Sequence, residues 1–507
     1  MSKTKFTGHP DARRPKGNPL AWINLLLLSI IVLACNYIGC SEYARFDLSE
    51  QESYSISERT LNVLSSERVQ KRETPIHIIF AFQRTATGYT RMYSLLEEYV
   101  RHSNGKVVVD CFDPLREPNR AREISQIYGV EFDQNLCVVD ARANHTVPLK
   151  TFEDSGNDRK HVRIRPGASF MKYEVLPDES KRIVALMMDE VLCSAITEAV
   201  EGDMRRMYVV EGKGGVSRDD QSLLENLGMI TSSLNIQLSW VNLSEVEMLP
   251  KDAEGLIIIS PQTDFTEDEM RVVREFWDRD GRNAVFVALD PTNTNLPMFY
   301  RFLREQGVRP AADRVLLRNR KRAYYNISAV MPKGLQCTKA FWNNTTQVDG
   351  QSMSLRLEHG DENMAAFRKL TTYPLLMTTA DYYGETSRDL EPSFDPREDS
   401  EGPLCLQAAV TRGSNNDPNN LSTMIVTGNI DVLTHENARK EQTDYMRSLW
   451  AWMVHRPEYA GKSSNQDLTF KIDLNRHTRS AVEHITLIIM PLLVLLVAIG
   501  IWNTRRH

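Results

Sequence analysis

The sequence predicts an α/β protein, arranged as a two-span membrane protein with two α/β lobes held outside the membrane. Three observations predict it. Strand-like and helix-like apolar periods alternate from Ile76 to Leu289, the pattern of βαβ units. Uncharged apolar runs occupy Leu20–Cys40 and Ile485–Trp502, near the two ends of the 507-residue chain. Mean hydropathy is only −0.39, which excludes a polytopic transporter and leaves membrane attachment to those two runs.

Each run is long enough to cross a bilayer core of about 30 Å as a helix, and Pro491 is tolerated in such a helix. Lys3, Lys5, Arg13, Arg14 and Lys16 precede the first run, and Arg505 and Arg506 follow the second. Positive flanks stay inside. The expectation is a bacterial inner-membrane protein with cytoplasmic tails at 1–19 and 503–507, spans at 20–40 and 485–502, and a periplasmic or otherwise extracytoplasmic body. A cleaved or lipoprotein signal is the alternative for the first run, because Cys35 and Cys40 each follow a small residue. Leu33 and Tyr37 fit that signal poorly.

Composition narrows the function classes. Apolar residues are 41% and charged residues 25%, ordinary for a globular chain. A net charge of −6 is no nucleic-acid footprint, so no nucleic-acid partner is expected. The seven cysteines show neither C-x-x-C nor a Cys/His spacing suited to zinc, so no metal or cofactor is expected.

The elements follow in order. In the membrane-proximal segment 41–75, Ser57 is the expected N-cap of a short helix through Leu61 and Leu64. Residues 76–150 read as a small lobe. Ile76–Phe82 is a buried strand, Tyr89–His102 a helix, Lys106–Phe112 a strand, Asn119–Tyr128 a helix and Leu136–Val139 a strand. A thioredoxin-like topology is one candidate, without the redox C-x-x-C. After a connector at 151–188, residues 189–292 read as a doubly wound lobe. Its strands are Met207–Val210, Ile236–Val241, Gly255–Pro261 and Ala284–Leu289, and its helices include Gln221–Ser233 and Thr266–Asp280. Residues 293–418 read as a mixed insertion, 419–460 as a return to the second lobe, and 461–484 as a second membrane-proximal segment.

Few residues offer chemistry. Gly212-Lys213-Gly214-Gly215 lies between a strand and a helix, where a phosphate can bind. It lacks Walker or dinucleotide spacing, and the plain alternative is a tight turn. On that alternative, Lys213→Ala stays within about ±0.5 kcal/mol. Asp290 and Asp431 follow strands, at the usual ligand edge of such sheets, where capping is the commoner role. His435, His455 and His484 show no metal spacing. The basic run Val315–Arg322 reads as a solvated face or a partner surface.

The ordered set of short motifs resembles the GldG-like auxiliary proteins of ABC-type transport systems, known from gliding motility and from uncharacterised exporters. Arg45, Asp47 and Leu48 match the post-membrane motif, followed by Tyr54-Ser55-Ile56-Ser57 and Thr60 with Leu64. Leu95-Leu96-Glu97-Glu98-Tyr99, Asp113-Pro114 and Tyr128-Gly129-Val130 match the first lobe. Glu190, Ser194-Ala195-Ile196, Val209–Gly214, Pro261, Gly281 and Gly428 match later landmarks. The family's turn commonly reads Gly-His-Gly-Glu, and here both polar side chains are replaced.

The resemblance implies a glutamine-amidotransferase-like second lobe and a non-enzymatic accessory subunit. Its partners would be ABC-type permease and ATPase subunits, since the chain has no Walker A motif of its own. No cysteine occupies a strand-to-helix elbow, so that nucleophile is missing. A membrane-anchored hydrolase or amidotransferase-like enzyme, and a cell-envelope ligand sensor or scaffold, are the competing readings.

Overall fold

The computed structural model describes residues 24, 26–34, 55–149, 158–175, 180–318, 325–358, 362–387, 392–413, 420–431 and 440–463. The chain divides into two compact units, Met1–Glu52 and Ser53–His507.

In the first unit, residues 26–34 are helical with exposed apolar side chains. A span needs about 20 apolar helical residues. Among the described residues no helix is long and apolar enough to cross a membrane. This overturns the expected two-span arrangement, together with the inner-membrane localisation and extracytoplasmic body drawn from it. Ile485–Trp502 lies outside the described residues.

The second unit is mixed α/β and contains several sheets. Four strands form the first: β1 (Ile76–Ala81), β2 (Val107–Phe112), β3 (Leu136–Asp140) and β4 (Val162–Pro166). Their order is β2-β1-β3-β4, with β1 and β2 parallel and the β1–β3 and β3–β4 pairs antiparallel. Alternation along β1 decides which face each side chain covers. Ile78 and Phe80 join a core with Met92, Leu95 and Tyr99 of the helix Tyr89–His102. Ile79 and Ala81 meet Ala121, Ile124 and Tyr128 of the helix Pro118–Tyr128 on the other face. Each fully buried Phe or Leu contributes about 1.5–3 kcal/mol of apolar transfer. Strands β5 (Met171–Val175) and β6 (Lys181–Leu186) pair only with each other among the described residues.

The largest sheet begins with β7 (Arg205–Glu211), β8 (Ile236–Asn242), β9 (Ala253–Ile259) and β10 (Ala284–Ala288). Further strands are β11 (Val308–Pro310), β12 (Arg314–Leu317), β13 (Ile327–Val330), β14 (Thr345–Val348), β15 (Leu355–Leu357) and β16 (Leu370–Thr378). The last are β17 (Tyr382–Glu385), β18 (Ser400–Glu401), β19 (Cys405–Gly413) and β20 (Leu421–Thr427). The sheet runs β14-β13-β16-β19-β20-β10-β9-β7-β8, with β11 and β15 attached beside β19, while β12, β17 and β18 make a small sheet of their own.

Neighbours from β8 to β20 are parallel. Beyond β20 the pairing turns antiparallel, from Gln407↔Thr427 to Gly413↔Leu421. The separate doubly wound lobe expected from the sequence is thus corrected. The stretch read as an insertion supplies antiparallel strands to the same sheet, because β19 is apolar on both faces and its first seven residues are buried.

Helices cover both faces of the parallel part. Ile257 and Phe286 pack with Leu223, Leu227, Leu449 and Trp450 on one side. Leu256, Ile258 and Val287 pack with Val273, Trp277 and Phe302 on the other. Burial on both sides explains why β9 and β10 read as continuous apolar runs.

Candidate functional site

The carboxyl ends of β7, β9 and β10 hold the best-defined polar cluster. After β7 the chain turns sharply, with Gly212 at φ 85° and Gly214 at φ 75°, a region that glycine enters at little cost. Gly215 approaches the backbone after β9 so closely that a Cβ there would lie 1.9 Å from the Ser260 carbonyl oxygen. The Lys213 carbonyl accepts from the backbone N–H groups of Gln262, at 2.8 Å, and Thr263, at 3.2 Å. Two loops are thereby tied edge to edge.

The Lys213 side chain does not face a ligand. Its Nζ lies 2.5 Å from Glu269 Oε2 and 3.2 Å from the Asp264 carbonyl oxygen, with the Phe265 ring centroid 4.9 Å away. Glu269 also closes a capping box with Thr266 at the start of the helix Glu267–Asp278, satisfying orphan N–H groups there. Burial alone would raise the Glu269 carboxyl, but hydrogen bonds from Lys213 and Thr266 outweigh it and hold the group below its ordinary value.

Asp290 is equally engaged. Its Oδ1 accepts from Thr292 N at 2.8 Å and Thr292 Oγ1 at 2.6 Å. Its Oδ2 accepts from Gln262 Nε2 at 3.1 Å and Ser260 Oγ at 3.3 Å. Burial again pushes upward, and these donors win, leaving the carboxyl below its ordinary value. Gln262 therefore joins the glycine turn to Asp290, through its backbone on one side and its amide on the other.

Asp431 stands against a different segment. Its N–H donates to Asn429 Oδ1 at 2.6 Å, and its carboxylate fills the space over Gly350, where a Cβ would lie 1.6 Å from Oδ2. Asn429 in turn donates to the Asp349 carbonyl and to Ser352 Oγ.

Sequence reasoning missed Ser260 and Gln262. Ser260 is 2% exposed and adopts φ 46°, uncommon for a residue other than glycine. It occupies the end of a central parallel strand, where a nucleophile elbow would sit. The nitrogen that meets Ser260 Oγ is the Gln262 amide, at 2.9 Å; it orients the hydroxyl and has no basic lone pair to take its proton. The available signal was Ser-Pro closing an uninterrupted apolar strand.

A second cluster explains the N-terminal motif. Ser57 caps the helix Glu58–Ser65 as expected, accepting from Thr60 N at 3.2 Å. The buried Asp189 carboxylate accepts from Ser57 N, Thr60 Oγ1 and Tyr99 OH at 3.2, 2.8 and 2.8 Å. Arg59, 2% exposed, reaches the Ser233 carbonyl at 3.4 Å. Burial opposes its charge, but Cys193, Glu190, Asp189 and Asp444 nearby hold the guanidinium above its ordinary value. Arg447 pairs with Glu190 at 2.6 Å and Asp444 at 3.2 Å.

The remaining candidates divide. His435 and His484 lie outside the described residues, as do residues 319–322 of the basic run. Arg318 of that run pairs with Glu401 at 3.1 Å and stacks over Phe394. The five described cysteines are free, and burial pushes the Cys111, Cys337 and Cys405 thiols up to about 12, away from thiolate chemistry. Among the described residues no group of three or more His, Cys, Asp or Glu is placed to hold a metal ion.

Residues 50–166 match a family described as a domain of unknown function, DUF7088. No curated protein matches. The mmIFT52 N-terminal domain is similar at 15% identity and a TM-score of 0.34, over 53% of this chain and 100% of that one. A putative ThuA-like protein from Bacteroides uniformis is similar at 12% identity and a TM-score of 0.31, over 51% and 95%. The exo-β-1,4-mannosidase Op5Man5 from Opitutaceae bacterium strain TAV5 reaches 10% identity and a TM-score of 0.27, over 74% and 52%. Likenesses with such TM-scores assign neither fold nor activity to the chain. None of these matches names an ABC-transporter auxiliary or a gliding-motility protein, so that expected assignment gains no support. The family-level similarity that is shown is confined to residues 50–166 and is to a domain family without described function.

Proposed function

We propose that the chain is a non-enzymatic accessory subunit whose α/β body binds a protein partner. The observation that carries this reading is the mutual saturation of the carboxyl-edge groups. Lys213 is held by Glu269, and Asp290 is held by Thr292, Gln262 and Ser260. Groups arranged in this way rigidify an edge, and the carboxylate that meets Ser260 Oγ, Asp290, is made a weaker base by the donors from Thr292 and Gln262 that hold it. The partners implied by the resemblance, an ABC-type ATPase and permease, define the test. Co-expression with them and isolation through a tag on this chain is expected to recover both in constant ratio. Recovery of the chain alone overturns that partner assignment. A hydrolase reading would instead require that Ser260→Ala abolish a measured turnover while the fold survives.

A further inference from the structure

The opposite, amino-terminal edge of the large sheet contains a cavity of about 300 Å³. That is at the small end of the range for ligand sites. Arg205 at the start of β7, Glu254 on β9, Arg282 just before β10, and His455 line it, with Met207 and Val454 as apolar wall. Arg205 is fixed in place. It donates to the Val454 carbonyl at 2.6 Å and pairs with Glu254 at 3.2 Å. Its side chain is 12% exposed, whereas that of Glu254 is 50% exposed, so the balancing carboxylate can leave for solvent while the guanidinium cannot.

His455 follows the helix Lys440–Met453 and is held at φ 58°. Among the described residues its buried Nε2 has no hydrogen-bond partner. A buried polar atom without a partner carries a desolvation cost of about 1–3 kcal/mol. Burial and the positive charges of Arg282, Arg205 and Arg456 hold the His455 ring down to about 4. Arg456 itself is paired with Glu201 at 2.6 Å.

We infer that this cavity binds a small oxyanion, inorganic phosphate or a small phosphate ester. Arg205 and Arg282 supply charge, and the His455 ring lines the wall beside them. Arginine suits this task because its planar fork matches phosphate oxygens. Glu254 acts as the displaceable counter-ion. The site lies at the sheet edge away from the glycine turn and is independent of the partner-binding role proposed above.

The test is calorimetric titration of the full chain with inorganic phosphate and with glycerol 3-phosphate at constant ionic strength, with acetate as control. The expected result is saturable phosphate binding, weakened tenfold or more by Arg282→Gln, an effect of roughly 1.4 kcal/mol or more. Glu254→Gln should bind several-fold more tightly, a gain that misfolding cannot mimic. The His455 ring resonance should move with phosphate occupancy. Preference for the ester over free phosphate would identify a metabolite site, and equal binding would identify a phosphate site. Absence of saturable binding, or identical binding by wild type, Arg282→Gln and Glu254→Gln, overturns the inference.

Discussion

Lys213 Nζ and Glu269 Oε2 lie 2.5 Å apart, and the same carboxylate accepts the Thr266 backbone N–H at 2.8 Å. A residue from a glycine turn thus completes the N-terminal cap of a helix 56 positions away in sequence. The pair is largely buried, at 12% and 6% side-chain exposure.

That burial changes the expectation for Lys213→Ala. Removing one partner of a buried pair leaves the other charge uncompensated, at about 3–5 kcal/mol when burial is complete. With the residual exposure here, a loss of about 1–3 kcal/mol is expected, well outside the surface range. Urea denaturation of Lys213→Ala, Glu269→Gln and the double variant checks it. Strictly additive losses would show that the two groups are not coupled.

Glycines separate cleanly into demanding and permissive positions. Gly215→Ala drives a Cβ to within 1.9 Å of the Ser260 carbonyl oxygen, and a destabilisation of about 1–3 kcal/mol or more is expected. Gly228, within the helix Gln221–Ser232, has open space where a Cβ would go. Gly228→Ala should stabilise by about 0.5–1 kcal/mol. Thermal melts of the two variants should move in opposite directions.

The Asp189 knot predicts strong intolerance. Asp189→Ala would remove the acceptor of the Ser57 N–H and the Thr60 hydroxyl, would leave the Tyr99 hydroxyl only the Asp189 backbone carbonyl at 3.0 Å, and would leave Arg59 with less compensating charge. A loss of about 3–5 kcal/mol is expected. Asp189→Asn, which keeps the shape, should lose less. A denaturation midpoint unchanged in Asp189→Ala would contradict this account.

His455 supplies a pH dependence. Its folded pKa, about 4, is below the unfolded value of about 6.5. Between those two values the unfolded chain binds more protons, so stability rises with pH there. The contribution is complete above pH about 6.5 and is lost progressively as pH falls toward 4. In phosphate-free buffer, His455→Asn should flatten the stability profile across this window. An unchanged slope would show that His455 titrates normally in the folded chain.

Much of the local structure was legible in the sequence because its causes are local. Ser57 reads as a cap from hydroxyl chemistry alone. The strands at Ile76–Ala81 and Ala253–Ile259 follow from apolar runs bounded by polar turns, and Gly212 and Gly214 from the demand for positive φ. Other decisions required the tertiary structure. An apolar run such as Leu20–Cys40 satisfies the length rule for a span, yet among the described residues no helix is long and apolar enough to cross a membrane. Residues 405–413 fall in the stretch read as a mixed insertion, and only the antiparallel pairing of β19 with β20 makes the large sheet mixed. The segment Gly212–Gly215 reads as a phosphate site or a tight turn, and only the approach of Glu269 shows what the Lys213 side chain pairs with. The pairings of Ser260 with Asp290, Asp189 with Tyr99, and Arg205 with the Val454 carbonyl each join residues distant in sequence. Local propensity is set by a residue and its near neighbours, whereas burial, ion pairing and backbone strain depend on which distant atoms the fold places within a few ångströms.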